Sequence, residues 1–269
     1  MQWTWRWTPA ATWRARVCCR PGWGNRAPQN EARAAPMPPL IALPGTLLDA
    51  RSLAPALQAL ALRSRTVLLG EAETLDGEVQ RLAALANEPA IWLGHSLGGI
   101  VALHLAASHP GLIAGLVLLA ANARASPAGG ADRRQAQWQL AQTQGLKALA
   151  AAKLAPGYDL APDDPLHTAL AEQAQSVGLR RFERQLRYAD RRPGLLSPRK
   201  SLHCPLLALS GAKDLLCPPL QSDEIAGLSM ASRHVSLPAG GHLFPMQQPI
   251  WVATHIQNFL DQFFLARSA

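Results

Sequence analysis

The chain has 269 residues, of which 48% are hydrophobic and 16% charged. That suits one compact domain with a sizeable core and excludes a largely disordered polymer. No apolar run reaches the ~18 to 20 residues of a membrane span, the longest stopping at Asn122. The formal charge of +8 is concentrated at the start: residues 1–36 hold six arginines against Glu31 and carry +5, so the other 233 residues carry only +3 and show no basic, aromatic-studded stripe for nucleic acid.

Residues 1–36 also contain five of the eight tryptophans, together with Cys18 and Cys19. Arg and Pro interrupt every stretch that would serve as a secretory core, and the serines of a transit peptide are missing from residues 1–30. This segment is expected to be a disordered or non-native extension, with Met37 standing directly before the first strand-like run. Further along, Cys204 and Cys217 fit neither a disulfide framework nor a zinc-ligand spacing. The expectation is therefore no metal and a reducing, cytoplasmic compartment.

From Leu40 onward short, almost continuously apolar runs alternate with helix-like segments, the order that builds a parallel sheet covered on both faces, an α/β fold. The predicted strands are 40–43, 66–69, 90–93, 115–120, 205–210 and 233–237. The predicted helices are 53–62, 77–86, 97–108, 221–226 and 248–264. Between Asn122 and about Ser201 lie roughly 80 residues of Ala, Gln, Leu and Arg, far beyond an ordinary connection. They predict an inserted helical cap over 122–201, divided by its prolines into several short helices, with a core made of 37–121 and 202–269.

The most informative stretch is Gly94-His95-Ser96-Leu97-Gly98, a G-x-S-x-G motif set between a predicted strand and a predicted helix. Small residues on either side allow a sharp turn that lifts the serine hydroxyl above the sheet edge. A serine hydroxyl is a weak nucleophile at neutral pH, so a base must take its proton and an acid must orient that base. Where G-x-S-x-G sits in a strand-turn-helix setting, the order along the chain is Ser, then Asp or Glu, then His. Among eight histidines only His242 occupies a glycine-rich loop after a predicted strand. Asp214, in the Gly211-Ala212-Lys213-Asp214 turn after another strand, is the favoured acid, with Asp190 and Asp223 as rivals. Charge developing on a carbonyl oxygen needs two N–H donors, expected from Leu97 and from Thr46 in the Pro44-Gly45 loop.

Leu-Pro-Gly-Thr at 43–46, Gly-His-Ser-Leu-Gly-Gly at 94–99, Gly-Ala-Lys-Asp at 211–214 and Gly-Gly-His at 240–242 together resemble the α/β-hydrolase superfamily over about residues 38–265. The nearest likeness is to its small bacterial branch with a helical cap, which holds carboxylesterases, enol-lactonases, carrier-protein methyl esterases and carbon-carbon bond hydrolases. The resemblance implies Ser96 as nucleophile, Asp214 as acid, His242 as base, and Thr46 with Leu97 as oxyanion donors, in a mostly parallel sheet of about six strands. Some relatives carry the acid after the strand before the cap, but here that strand ends in Ala120-Ala121-Asn122. Many members have His-Gly where this chain has Pro44-Gly45, which leaves the ordering of that loop to other residues.

The implied activity is hydrolysis of a small ester, thioester or lactone through an acyl-enzyme, without a cofactor. Carbon-carbon cleavage or a cofactor-free peroxidase would reuse the same residues, and a non-catalytic ligand-binding role would reuse the same pocket. The partner expected is a small-molecule substrate, and monomer and homodimer are both compatible with the sequence. In the cap, Trp138, Leu146, Leu149, Leu154 and Tyr158 either line an apolar pocket or pack the cap helices. Arg191 and Arg192, where the cap returns to the sheet, either pair with a substrate carboxylate or continue the solvated run of Arg180, Arg181, Arg184 and Arg187.

Overall fold

The computed structural model describes residues 37–265 apart from 61, 156, 157, 159, 162, 191 and 197–200; the expected extension over 1–36 lies outside them. The apolar runs pair side by side as β1 (Leu40–Leu43), β2 (Ser64–Thr66), β3 (Ala90–His95), β4 (Ile113–Leu119), β5 (Leu206–Gly211) and β6 (Ser232–Leu237). All pairings are parallel and the order is β2-β1-β3-β4-β5-β6. Residues that alternate along each strand fall into different cores, as the period of two requires. Ile41, Trp92, Leu116, Leu118 and Leu206 pack on one side, and Leu40, Ile91, Leu93, Val117 and Leu207 on the other.

Helices cover both faces. On the first side lie α2 (Leu75–Leu85), α3 (Leu97–Ser108) and α6 (Pro219–Ala226). On the second lie α1 (Ala54–Gln58) and α8 (Pro249–Leu260), the latter preceded by the single turn α7 (Phe244–Gln247). Local signals start these helices where they do: the Thr74 hydroxyl caps α2 by accepting from the Gly77 N–H at 3.1 Å, and prolines open α1, α6 and α8.

The last helix, expected over 248–264, ends at Leu260 and continues as a π-helical turn over Asp261–Leu265. Two further elements differ from their prediction. The strand expected over 66–69 runs over Ser64–Thr66 instead, because this edge strand pairs only with β1 and leaves the ladder once the Val67 N–H has met the Ala42 carbonyl. Leu69 then turns into the core. The helix expected over 53–62 is only Ala54–Gln58, following a 3-10 turn at Ala50–Ser52.

Between β4 and β5 the chain forms α4 (Gly130–Leu149), a π-helical turn (Ala150–Leu154) and α5 (Leu166–Asp190). The interior breaks come at Gly145 (φ 86°) and Gly178 (φ 80°), whereas Pro127, Pro165 and Pro193 sit outside the helix ends. A proline removes an intrahelical N–H, so it marks ends; glycine tolerates the left-handed conformation that a break within a continuing helix demands.

The sheet order also locates the site. From β1 the chain moves outward to β2, then crosses back to β3 on the other side of β1. This reversal opens a crevice at the carboxyl ends of β1 and β3. The loop 44–49 and Ser96 are the segments that leave those two ends.

A buried carboxylate fastens α5 to this frame. Glu78, fully buried on α2, accepts the N–H groups of Gly70, Glu71 and Ala72 at 2.9 to 3.2 Å and the Arg81 guanidinium at 2.6 Å. The Tyr188 hydroxyl of α5 lies 3.1 Å from it and against the Ala72 carbonyl. Burial pushes the Glu78 pKa up, but Arg81, the Ala72 N–H and Tyr188 outweigh that and hold it below the ordinary 4.5. A depressed carboxyl pKa stabilises the fold fully above the unfolded value, and that stabilisation is lost as pH falls through the folded one. Glu78→Gln is therefore expected to lower unfolding stability by about 3 kcal/mol at pH 7. The deficit should shrink below pH 4.5, as read by urea melts across pH.

Candidate active site

The turn that presents Ser96 is set by steric exclusion. Ser96 sits at φ 53°, ψ −116°, between the last residue of β3 and the first of α3. A Cβ on Gly94 would lie 2.4 Å from the Gly99 nitrogen, and one on Gly98 would lie 2.0 Å from the Leu43 carbonyl oxygen. Only hydrogen fits at either place, which is why the motif has glycine there. The Ser96 N–H donates to the Leu119 carbonyl at 2.9 Å, tying the turn to β4.

Two other strand ends bring in the partners. His242 follows β6 and its Nε2 lies 2.9 Å from Ser96 Oγ; its Nδ1 lies 2.8 Å from Asp214 Oδ2, after β5. The acceptor-only carboxylate fixes the tautomer: Nδ1 carries the hydrogen, and Nε2 accepts from the hydroxyl. The other Asp214 oxygen accepts the N–H groups of Leu216 and Cys217 at 2.8 and 2.9 Å. Burial works to raise the Asp214 pKa, but His242 and these two N–H groups hold the carboxyl below its usual range. The rival acids are engaged elsewhere, Asp190 with Arg134 at 2.7 Å and Asp223 with His234 at 2.5 Å.

The His242 ring is held by its neighbours. Tyr158 stacks on it at 5.2 Å between centroids, 14° from parallel, and His95 packs at 5.3 Å. His95 Nε2 donates to the His242 carbonyl at 3.0 Å. Burial, reinforced by the nearness of His242, lowers the His95 pKa to about 3, so this second imidazole stays neutral.

The Leu97 N–H opens α3, where a helix has no acceptor of its own to offer. Thr46 lies across the same cavity. The loop that carries Thr46 lacks the histidine common in similar chains and is ordered from the helical insertion instead. Gln185 of α5 accepts the Leu47 N–H at 3.0 Å and donates to the Leu69 carbonyl at 3.1 Å. Gln173 accepts the Asp49 N–H at 3.1 Å. The pair holds Leu47 at φ 57°, a strained value for a residue with a Cβ. Neither glutamine was singled out from the sequence, since each sits in a polar helical run with no local pattern marking it as buried.

Ser96, His242, Thr46 and Leu97 wall a cavity of about 260 Å³, together with Leu154, Tyr158, Phe182 and Arg192 among others. Trp138 is not part of this wall. On α4 the cavity face carries Arg134 and Gln137, and Trp138 turns to Phe182, 6.3 Å away, in the core between α4 and α5. Leu146 and Leu149 are buried in that same core. Arg191 lies outside the described residues, and its neighbour Arg192 faces the cavity.

Asp214, Cys217 and His242 also bring one possible metal ligand each within 4.8 Å of one another. Their chemistry suits an ion poorly, because Asp214 and His242 are spent on each other and the Cys217 thiol is pushed up to about 12 by burial and by Asp214. Metal ligation needs the thiolate.

The model of the family described as "Alpha/beta hydrolase family" matches residues 2–255. The chain belongs to the alpha/beta hydrolase family. Among solved structures, this family member is similar to a thermophilic esterase from Thermogutta terrifontis, with 23% identity, 84% of this chain and 90% of that one covered, and a TM-score of 0.72. It is also similar to the enol-lactonase from Burkholderia xenovorans LB400, with 22% identity, 83% and 91% covered, and a TM-score of 0.69. A curated relative, Lipase LipV of Mycobacterium tuberculosis, is 50% identical over 50 residues, which is 17% of this chain and 19% of that protein. At these identities the structural likenesses establish the fold.

Two outcomes check the site's construction. Gln185→Leu leaves the Leu47 N–H and the Leu69 carbonyl without partners and is expected to cost about 2 kcal/mol in urea denaturation. Iodoacetamide at pH 8 is expected to leave Cys217 unmodified in the folded chain and to alkylate it after unfolding, read by peptide mass mapping.

Proposed function

We propose that this chain is a serine hydrolase that cleaves a small carboxylic ester, thioester or lactone through an acyl-enzyme. Ser96 is the nucleophile, His242 the general base, Asp214 the acid that orients the imidazole, and the N–H groups of Thr46 and Leu97 the oxyanion donors. The observation that carries this reading is the unbroken hydrogen-bond chain from Ser96 Oγ through His242 to Asp214, at 2.9 and 2.8 Å, on the wall of a cavity. The lipase, esterase and enol-lactonase to which the chain is similar are named for ester-bond hydrolysis, which supports the same reaction class.

The chemistry follows from the geometry. As Ser96 Oγ attacks the substrate carbonyl carbon, its proton passes to His242 Nε2 and the carbonyl electrons move onto oxygen, where the two N–H donors meet the negative charge. The imidazolium that forms is stabilised by the Asp214 carboxylate and returns the proton to the leaving oxygen or sulfur, so the alcohol or thiol departs. Water then gives a proton to His242, attacks the acyl carbon, and releases the acid with Ser96 restored. Residues 122–201 act as a cap in this reading, with Leu154, Tyr158 and Phe182 from the insertion selecting the substrate. The cavity falls just under the ~300 to 1,000 Å³ of drug-sized sites, which favours short substrates. The buried, unpaired Cys204 and Cys217 support a reducing, cytoplasmic setting.

The test is turnover of p-nitrophenyl esters from acetyl to long acyl chains. Multiple turnovers with an optimum at short chains are expected, and Ser96→Ala should lower kcat by at least about 10⁴-fold. A folded wild-type chain that turns over none of the series would refute a general esterase, and a Ser96→Ala variant as fast as wild type would refute Ser96 as the nucleophile.

A further inference from the structure

Arg192 is a cation placed where none is needed for the chemistry just described. It is 9% exposed and lines the same cavity as Ser96 and His242. Its hydrogen bonds go to neutral acceptors: Nε to the Arg124 carbonyl at 3.0 Å, Nη1 to the Ala189 carbonyl at 2.7 Å, and Nη2 to the Asn122 side chain at 3.4 Å. A guanidinium has five N–H donors, so one on each terminal nitrogen is left without an acceptor among the described residues.

The acids close at hand are all engaged. Asp190 pairs with Arg134, Glu224 with Arg124 at 2.6 Å, and Asp214 with His242. Among the described residues no carboxylate lies within 4.0 Å of Arg192, and the neighbouring Cys217 stays a neutral thiol. Burial, and then the nearby guanidinium of Arg134, which has its own partner in Asp190, lower the Arg192 pKa. Burying a charge without a counter-charge is costly, and a carboxylate entering the cavity would offset that cost through the two N–H groups that no described residue accepts.

We propose that the ester cleaved at Ser96 carries a free carboxylate, as the monoester of a short dicarboxylic acid does, and that Arg192 binds that carboxylate. This inference rests on the esterase reading, and it adds the substrate class. A carboxylate held by Arg192 fixes one end of the substrate while the ester carbonyl meets Ser96. Charge, more than acyl length, then sets specificity.

The test compares two esters of equal length on the full chain: mono-p-nitrophenyl glutarate and its methyl-capped neutral analogue, p-nitrophenyl methyl glutarate. Wild type is expected to favour the charged ester in kcat/KM, and Arg192→Met to lower that preference by roughly 30-fold through KM. Arg192→Lys, which keeps the charge but not the fork, should fall between. Equal rates on both esters in wild type would overturn the proposal. So would a parallel loss on both esters in the variants, which is what a merely structural arginine would give. Should Arg192→Met fail to fold, the wild-type ratio and Arg192→Lys decide. If neither ester is turned over, the esterase reading falls by itself, and titration calorimetry of glutarate into Ser96→Ala decides the carboxylate site. Binding weakened in the Ser96→Ala, Arg192→Lys double variant would uphold it, and either unchanged binding there or no binding to Ser96→Ala would end it.

Discussion

At Ser96 the chain turns from a central strand into a helix within one residue, at a backbone conformation that costs an L-amino acid roughly 1 to 3 kcal/mol. The surroundings over-determine it: a hydrogen bond to β4, the start of an apolar helix, and two glycines where backbone meets backbone closer than any Cβ permits. The hydroxyl is thereby lifted to the edge where β5 and β6 end, so the loops leaving those strands deliver Asp214 and His242 without long excursions. Strand order, the reversal between β1 and β3, and the parallel register all serve that one turn.

The helical insertion does more than cover this edge. Its α5 contributes Gln173 and Gln185 to the loop bearing Thr46, and Tyr188 to the carboxylate that gathers the backbone of 70–72. In this chain side chains from the insertion order a loop whose Pro44-Gly45 carries no histidine to order itself. The insertion also brings Arg134 and Arg192 to the cavity, so one segment supplies both the ordering of the loop and guanidinium groups on the cavity wall.

What could be read in the sequence was what acts over short range. The glycines around Ser96, the strand-turn-helix setting and the loops after β5 and β6 are local steric patterns, and each marked its residue before any contact was known. The apolar strands were equally legible because burial on both faces leaves an unbroken run. Illegible were groups whose partners lie more than a hundred positions away: Gln185 with Leu47, Gln173 with Asp49, Tyr188 with Glu78, His95 with His242. Nothing in the neighbourhood of Gln185 distinguishes it from the exposed polar residues of the same helix. The end of the edge strand was misplaced by three residues for a related reason, since it is decided by where β1 stops offering carbonyls. Trp138 could equally line a pocket or pack helices by sequence, and the helix phase turns it to Phe182.

Gln185 has one further consequence. Its two ends hold two separate loops, after β1 and after β2, from a single position on α5. Any outward swing of α5 that would widen the entrance must break both bonds or pull the Thr46 loop along with it. Displacement of α5 and the shape of the loop bearing Thr46 are thus coupled, since neither can change without the other losing a hydrogen bond or moving with it.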